Sequence, residues 1–425
     1  QKFVPVDHIL NMYDLKGETA DLHNFCVGNF LPGLENKKKD QISVGVVGEK
    51  IKVRFLHSSG STWNTIKTIC QAFQKDERFD VLMILGCGIE NIHDTFVRLQ
   101  KYGLQSIHWE QYKAEEDLPD IMVLNHPDDT GTQIKNCREC CKLIVVASME
   151  LIRYVENMRI FWRCQEKGFK RFEPDYYLFD TLLYNELSQS DYASEPIVEI
   201  GNAQYDIVYE ASLKKQYRDG WEKLRNKKVI LWTTDHGIYG EHVSKELTFD
   251  LYASVIFRYM RENPEIGFIF RPHRTFISEL LRNDLWSEHD LASLKQYCRE
   301  SPNIVFDDSI TYNDAFSVAD GILTDAFCGI TGAALPTLKP VCMTYRRKTD
   351  LPCHMELNEC YYSAYSADDI LTFFELIKNE RDSMFHMRKE ASEKYVKHFD
   401  GNNGQRIKEF IYDKFLELRN NFNVK

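Results

Sequence analysis

Apolar and polar positions change period along this chain in a repeating order. Ile51, Val53 and Phe55 alternate with polar neighbours, the two-residue period of a strand, and His57-Ser58-Ser59-Gly60 reads as the turn that ends it. "NTIKTICQAFQKD" then sets Ile66, Ile69 and Phe73 at helical spacing. The cycle recurs: "FDVLMILGCG" (79–88) predicts a strand, "NIHDTFVRLQKYG" (91–103) a helix, "DIMVLNHPDD" (120–129) a strand with a polar end, and "KLIVVASM" (142–149) another strand. A second series follows "IVEIGNAQYD" (197–206), where 209–225 reads as an apolar-poor helix bridging two halves. "KKVILWTTDHG" (227–237) predicts strand and turn, "TFDLYASVIFRYMREN" (248–263) a helix, and "IGFIFRPH" (266–273) a strand. "NIVFDD" (303–308), "GILTDA" (321–326) and "KPVCMTY" (339–345) predict three short strands, and "ILTFFELIKN" (370–379) and "GQRIKEFIYDKFLELRN" (404–420) two helices. Strands alternating with helices imply parallel sheets. The expected class is α/β, two Rossmann-like domains with parallel sheets facing a central cleft. Their expected bounds are 51–206 and 207–395, after an extension at 1–50 and before a C-terminal helix at 396–425 that is free to cross back.

Bulk properties narrow the partners. A length of 425 residues exceeds one ordinary core, which supports the two-domain reading. Lys+Arg 53 against Asp+Glu 64 gives a net charge of −11, which argues against a nucleic-acid binder. An anionic ligand must then be held by a local cluster of cations. No run reaches the roughly 18–20 apolar residues of a membrane helix. The opening segment does not read as a signal peptide, and the start at Gln1 reads as trimmed. Cysteines in apolar contexts, such as Cys26, Cys70, Cys87 and Cys342, suit a reducing cytoplasm. Cys137, Cys140 and Cys141 in "CRECC" form one CxxC without a second pair, so thiols are favoured over a metal site. The aromatic-rich stretch 149–164 reads as packing, and is the segment best suited to a peripheral membrane contact.

Candidate chemistry sits at strand ends, where open parallel sheets bind ligands. "FIFRPHRTF" finishes a core strand with Arg271, His273 and Arg274. "WTTDHGIYG" adds Thr233, Thr234, Asp235 and His236, and "LTDAFCGITGAAL" adds Thr324, Asp325, Gly329, Thr331 and Gly332, the last two opening a helix. Glycines and hydroxyls at a helix start, a forked Arg donor and a His describe a site for a nucleotide diphosphate. Plainer roles compete: an ion pair of Arg271 or His273 with Asp307 or Asp308, a structural His236, and a helix cap at Asp325. His57 and His126 end strands of the first half, where either suits acceptor binding or proton transfer.

These motifs, in order, resemble the CDP-glycerol glycerophosphotransferase family of teichoic-acid and capsule synthesis, over roughly 51–415. "ILWTTDHG" is similar to its "W-[TA]-P-H-H" strand with His236 on the second His, and "RPH" matches outright. "ADGILTDAFCG" is similar to "SD-x-[LI]-I-T-D-x-x-S", "LKPVCMTY" to "GKPV-x-Y", "GNAQYD" to "GNPKFD", and "DGNNGQRI" to "DG-x-x-x-x-RI". Thr234 and Asp235 replace the proline and first His, and Cys328 or Gly329 the Ser. The resemblance implies a GT-B fold and transfer of glycerol-phosphate, or a related polyol-phosphate, from a CDP-activated donor to a hydroxyl of a lipid-linked or polymeric saccharide, releasing CMP. It implies catalysis by His236, His273 and Arg271, and donor binding by Thr234, Asp235, Thr324, Asp325, Gly329 and Thr331. His57, Ser58, His126 and Asp129 fall to the acceptor side. No cofactor or metal is called for, no nucleic acid is expected, and the expected place is the cytoplasm, with a peripheral contact at the inner membrane face kept open. Two alternatives stand beside it: a nucleotide-sugar-dependent GT-B glycosyltransferase, and a non-catalytic GT-B assembly partner, which the changes at Asp235 and Cys328 would suit.

Overall fold

The structure, a computed structural model, describes residues 49–59, 63–88, 92–125, 137–147, 174–179, 197–235, 237–239, 242–243, 247–309, 311–325, 329–348 and 359–423. The extension at 1–48 and the aromatic stretch 149–164 lie outside them. The described chain divides into two compact units, one running to Tyr209 and resuming at Tyr395, the other Glu210–Lys394.

In the first unit, strands β1 (Ile51–Ser59), β2 (Phe79–Gly88), β3 (Gln105–His108), β4 (Ile121–Leu124), β5 (Leu143–Ala147), β6 (Tyr176–Phe179) and β7 (Ile197–Glu199) form one sheet in the order β3-β2-β1-β4-β5-β6-β7. Every pairing is parallel. The inner strands β4 and β5 are apolar and buried at every position, as a sheet covered on both faces requires. The helix Trp63–Gln74 buries Ile66, Ile69 and Phe73 on Val53 and Phe55. The expected turn at His57 is not there: β1 continues, pairing His57 with Leu85 and, after an irregularity, Ser59 with Gly88. Strands β3, β6 and β7 were not expected; they are short and lie at the two outer parts of the sheet, where β3 and β7 are not buried apolar runs.

The helix Asn403–Asn423 lies on this same core through Ile407, Ile411 and Phe415, and Lys408 Nζ donates to Asp76 Oδ2 at 2.6 Å. Its start is fixed by one carboxylate. Asp206 Oδ1 accepts the Asn403 N–H and Oδ2 the Gly404 N–H, both at 2.7 Å. The motifs "GNAQYD" and "DGNNGQRI" are thus joined in space. The bridging helix expected at 209–225 is instead Ala203–Leu213, which begins where Asn202 Oδ1 accepts the Gln204 N–H at 2.9 Å.

In the second unit, β8 (Lys228–Thr234), β11 (Ile266–Pro272), β12 (Ile304–Phe306), β13 (Gly321–Thr324), β14 (Val341–Thr344) and β15 (Tyr362–Ala364) form a parallel sheet in the order β12-β11-β8-β13-β14-β15. Between β8 and β11 lies a short antiparallel ribbon of β9 (Ile238–Tyr239) and β10 (His242–Val243). One sheet face carries an aromatic core in which the Trp232 ring lies 4.5 Å from Phe270 and 5.6 Å from Phe249. Helix Ala367–Lys378 packs close against β13: a Cβ on Gly321 would lie 2.6 Å from Ile377 Cδ1.

Candidate functional site

The three strand ends singled out in the sequence belong to neighbouring strands, with β8 between β11 and β13. Register sets Arg271 beside Thr233 and Thr233 beside Thr324, and Pro272 beside Thr234. Trp232, Phe270 and Leu323 face the aromatic core, so strand alternation puts Arg271, Thr233 and Thr324 in one row on the opposite face. The glycine-rich helix Gly329–Thr337 begins just beyond β13, and Thr331 is buried in it.

Arg271 is committed to its own loop. Its Nη1 donates to Asp307 Oδ2 at 2.6 Å and to Ser309 Oγ at 3.0 Å, while Nη2 donates to the Ser309 carbonyl at 2.8 Å. Of the two readings open in the sequence, the ion pair with Asp307 is therefore present. His273 caps the helix Arg274–Arg282: its Nδ1 accepts the Thr275 N–H at 3.2 Å. In the neutral ring that leaves the proton on Nε2, which makes this atom a donor.

Asp325 is buried, so its carboxylate organises the protein. Oδ1 accepts the Asp235 N–H at 2.6 Å, and Oδ2 accepts the Thr248 N–H at 2.8 Å and the Thr248 hydroxyl at 3.3 Å. Burial, helped by the charge of Asp235, pushes its pKa up to about 7 against the pull of the backbone donors of Thr248, Asp235 and Asp325 itself. The hydroxyl of Thr234 is buried and has no partner among the described residues. Thr248 was missed in the sequence because it sits at a helix N-cap position. Its hydroxyl makes no cap bond and turns to Asp325 and, at 2.6 Å, to Thr344.

In the first unit His57 is buried, its ring 5.7 Å from that of Trp63, and neither ring nitrogen has a hydrogen-bond partner among the described residues. Burial, with the Arg98 charge nearby, drives its pKa down to about 3, so the ring stays neutral. It can offer a hydrogen bond but is a weak proton acceptor. Ser58 lies beside it on β1. His236, His126 and Asp129 lie outside the described residues, as does Cys328. Cys137 and Cys141 are buried, Cys140 is half-buried, and the Cys141 Sγ donates to the Leu143 carbonyl at 3.2 Å. Among the described residues no group of three or more His, Cys, Asp or Glu could hold a metal, and no helix is long and apolar enough to cross a membrane.

No protein-family model matches the chain, and no curated protein matches it by sequence. Solved structures do match. The complex of Staphylococcus aureus MnaA with UDP is similar at a TM-score of 0.57 and 16% identity, covering 87% of this chain and 97% of that one. The Neisseria meningitidis UDP-GlcNAc 2-epimerase bound to UDP-GlcNAc gives 0.54 and 13%, covering 85% and 100%. The wall teichoic acid polymerase TagF gives 0.52 and 12%, covering 87% and 90%. Likeness at such identity establishes the fold. The chain is an α/β protein of the GT-B class, with a parallel sheet in each unit.

Proposed function

We propose that this chain is a transferase that moves glycerol-phosphate, or a related polyol-phosphate, from a CDP-activated donor to a hydroxyl of a saccharide acceptor and releases CMP. The observation that carries it is the row of Arg271, Thr233 and Thr324 at the carboxyl edge of three adjacent strands, next to His273 and a glycine-rich helix start. Motif order and the structural likeness to TagF, crystals of which have been soaked with CDPG, point the same way. In the reaction the acceptor oxygen forms a bond to the phosphorus bearing the polyol, and the bond from that phosphorus to the CMP oxygen breaks. His273 donates from Nε2 to a phosphate oxygen, and Arg271 adds positive field from its Asp307-held position. His236 accepts the hydroxyl proton or orients the donor. Most of the stabilisation falls on the diphosphate charge. An acceptor anchored in lipid would place the protein at the inner face of the membrane.

A second reading, an enzyme acting on a UDP-sugar, is favoured by the likeness to proteins solved with UDP or UDP-GlcNAc. A thermal-shift panel of CMP, CDP, CDP-glycerol, CDP-ribitol, UDP and UDP-GlcNAc separates the two, because a ligand that binds only the folded state raises Tm. Stabilisation by cytidine ligands that is lost in His273→Ala supports the transferase. A response to uridine ligands alone overturns it in favour of the second reading, and no response at all favours a non-catalytic protein.

A further inference from the structure

We propose that Asp325 is a positioning residue, one buried carboxylate tying both ends of the segment 235–248 to the carboxyl end of β13 and thereby setting the donor site. The last part of this statement rests on the transferase reading; the clasp itself does not. Asp235 continues directly from β8, and Thr248 directly precedes the helix Phe249–Glu262. Between them in sequence lies the β9–β10 ribbon. Its two ends, thirteen positions apart, converge on the two oxygens of one carboxyl: Asp235 N–H on Oδ1, Thr248 N–H and hydroxyl on Oδ2. A third strand joins through Thr344, whose hydroxyl shares 2.6 Å with that of Thr248 and lies 3.3 Å from the Thr324 carbonyl. Asp325 thus links the ends of β8, β13 and β14 to the start of a helix.

Two features argue for a positioning role over direct ligand contact. Both oxygens of the carboxylate already accept hydrogen bonds from the protein, and no cation pairs with it among the described residues. Among the described residues, the charged groups next to its partners are Asp235 after β8 and, beside Thr248, Asp250 and Arg346. The last two are closed on each other at 2.6 and 2.7 Å, with Arg346 Nη1 also on the Leu247 carbonyl at 2.6 Å. A protein that needed only to fold could close this loop with neutral groups. A buried carboxylate with three donors and no counter-ion is instead a clasp whose strength depends on its ionisation. Its pKa of about 7 makes it strongest above neutrality, where the acid's own O–H no longer displaces a donor.

The test uses the whole chain with Asp325→Asn and, as a milder variant that keeps the backbone donor, Thr248→Val. Amide hydrogen exchange is read at Asp235 and Thr248, and steady-state transfer is read with CDP-glycerol. The expected result for Asp325→Asn, whose amide keeps one accepting oxygen and turns its NH2 group to the other donor, is exchange faster by about tenfold at one of the two amides, with the aromatic core strands β8 and β11 unchanged. The KM for CDP-glycerol should rise more than kcat falls, and a change in that KM near pH 7 seen in the parent should be absent. Thr248→Val should show the effect at the Thr248 amide alone, which keeps the proposal testable if Asp325→Asn does not fold. Unchanged protection at both amides in Asp325→Asn overturns the clasp. Lost protection with no donor turned over by the parent leaves the clasp standing and sinks the transferase reading.

Discussion

Replacing Gly404 by alanine sets two effects of opposite sign against each other. Gly404 is the second residue of the helix Asn403–Asn423, and in a helix alanine is ordinarily preferred to glycine by about 1 kcal/mol. By propensity alone the change stabilises. The packing says otherwise. A Cβ at 404 would lie 2.5 Å from the Thr68 carbonyl carbon, 2.6 Å from its Oγ1 and 2.7 Å from its Cβ. The nearest of these is main chain within the helix Trp63–Gln74, so no rotamer change relieves it. Thr68 is also tied down, its Oγ1 donating to the Ala203 carbonyl at 3.2 Å. The helices must separate, at roughly 1–3 kcal/mol for overpacking. Moving the helix start also strains the bonds of the Asp206 carboxylate to Asn403 and Gly404, worth about 1 kcal/mol each. The net expectation is destabilisation of the first unit by about 2 kcal/mol, a Tm lower by roughly 4–8 °C. Because the chain has two units, urea unfolding should be followed by hydrogen exchange at β1 and β2 rather than by one global signal. A Tm equal to or above that of the parent would refute the close packing.

Asp206→Ala removes the acceptor for the Asn403 and Gly404 N–H groups and should cost about 2 kcal/mol, read as faster exchange in the first turn of that helix. His57→Leu should raise Tm, since it deletes two buried nitrogens that have no partner among the described residues, and a fall would reveal a partner for His57. His57 has a folded pKa near 3, below its ordinary value near 6.5, so in acid the unfolded chain binds its proton first. Its stability contribution is therefore intact above pH 6.5 and lost as pH falls toward 3, by up to about 1.4 kcal/mol per pH unit; His57→Leu should flatten that part of a pH–stability curve. Arg271→Lys should lower Tm, because a lysine cannot reach Asp307, the Ser309 hydroxyl and the Ser309 carbonyl together.

Much of the fold was legible because its inner strands are buried on both faces. Leu143–Ala147 and Ile266–Pro272 read as nearly unbroken apolar runs, and helices such as Phe249–Glu262 show one apolar stripe. The short edge elements were not, since Gln105–His108 is half-exposed and carries little pattern. At the candidate site the sequence delivered the strand ends but not their partners. Asp325 and Thr248 meet across 77 positions and Arg271 and Asp307 across 36, so no local spacing encodes them. Asp325 is expected as a donor contact because its motif ends a strand at the ligand edge, and spacing gives no sign that its oxygens also accept from Asp235 and Thr248. The helix expected from 209 is instead Ala203–Leu213, whose mixed residues show no apolar stripe to reveal a start without the Asn202 cap.

What a diphosphate would meet at the end of β11 is decided by commitments rather than by the number of cations. Arg218, Arg271, Arg274 and Lys295 gather there, yet Asp307, Asp308 and Asp314 gather with them, so four positive groups face three negative ones. Arg271 holds Asp307, whose side chain is 2% exposed, while Arg218 lies 3.6 Å from the same carboxylate and binds Asp314 at 2.5 Å. Pulling Arg271 away to grip a phosphate would leave a buried carboxylate with a weaker partner, and breaking such pairs costs roughly 3–5 kcal/mol. A phosphate hydrogen bond to Arg271 returns about 1.5–3 kcal/mol, which does not cover it. On the proposed function, Arg271 therefore serves where it is, as a fixed positive field beside the row of Thr233 and Thr324 rather than as a phosphate clamp. This ordering makes a definite claim: Asp307→Asn, which frees Arg271 without removing it, should weaken binding of CDP-glycerol through lost position even though it adds net positive charge. Tighter binding in that variant, measured by calorimetry, would mean that Arg271 is a direct clamp that Asp307 restrains.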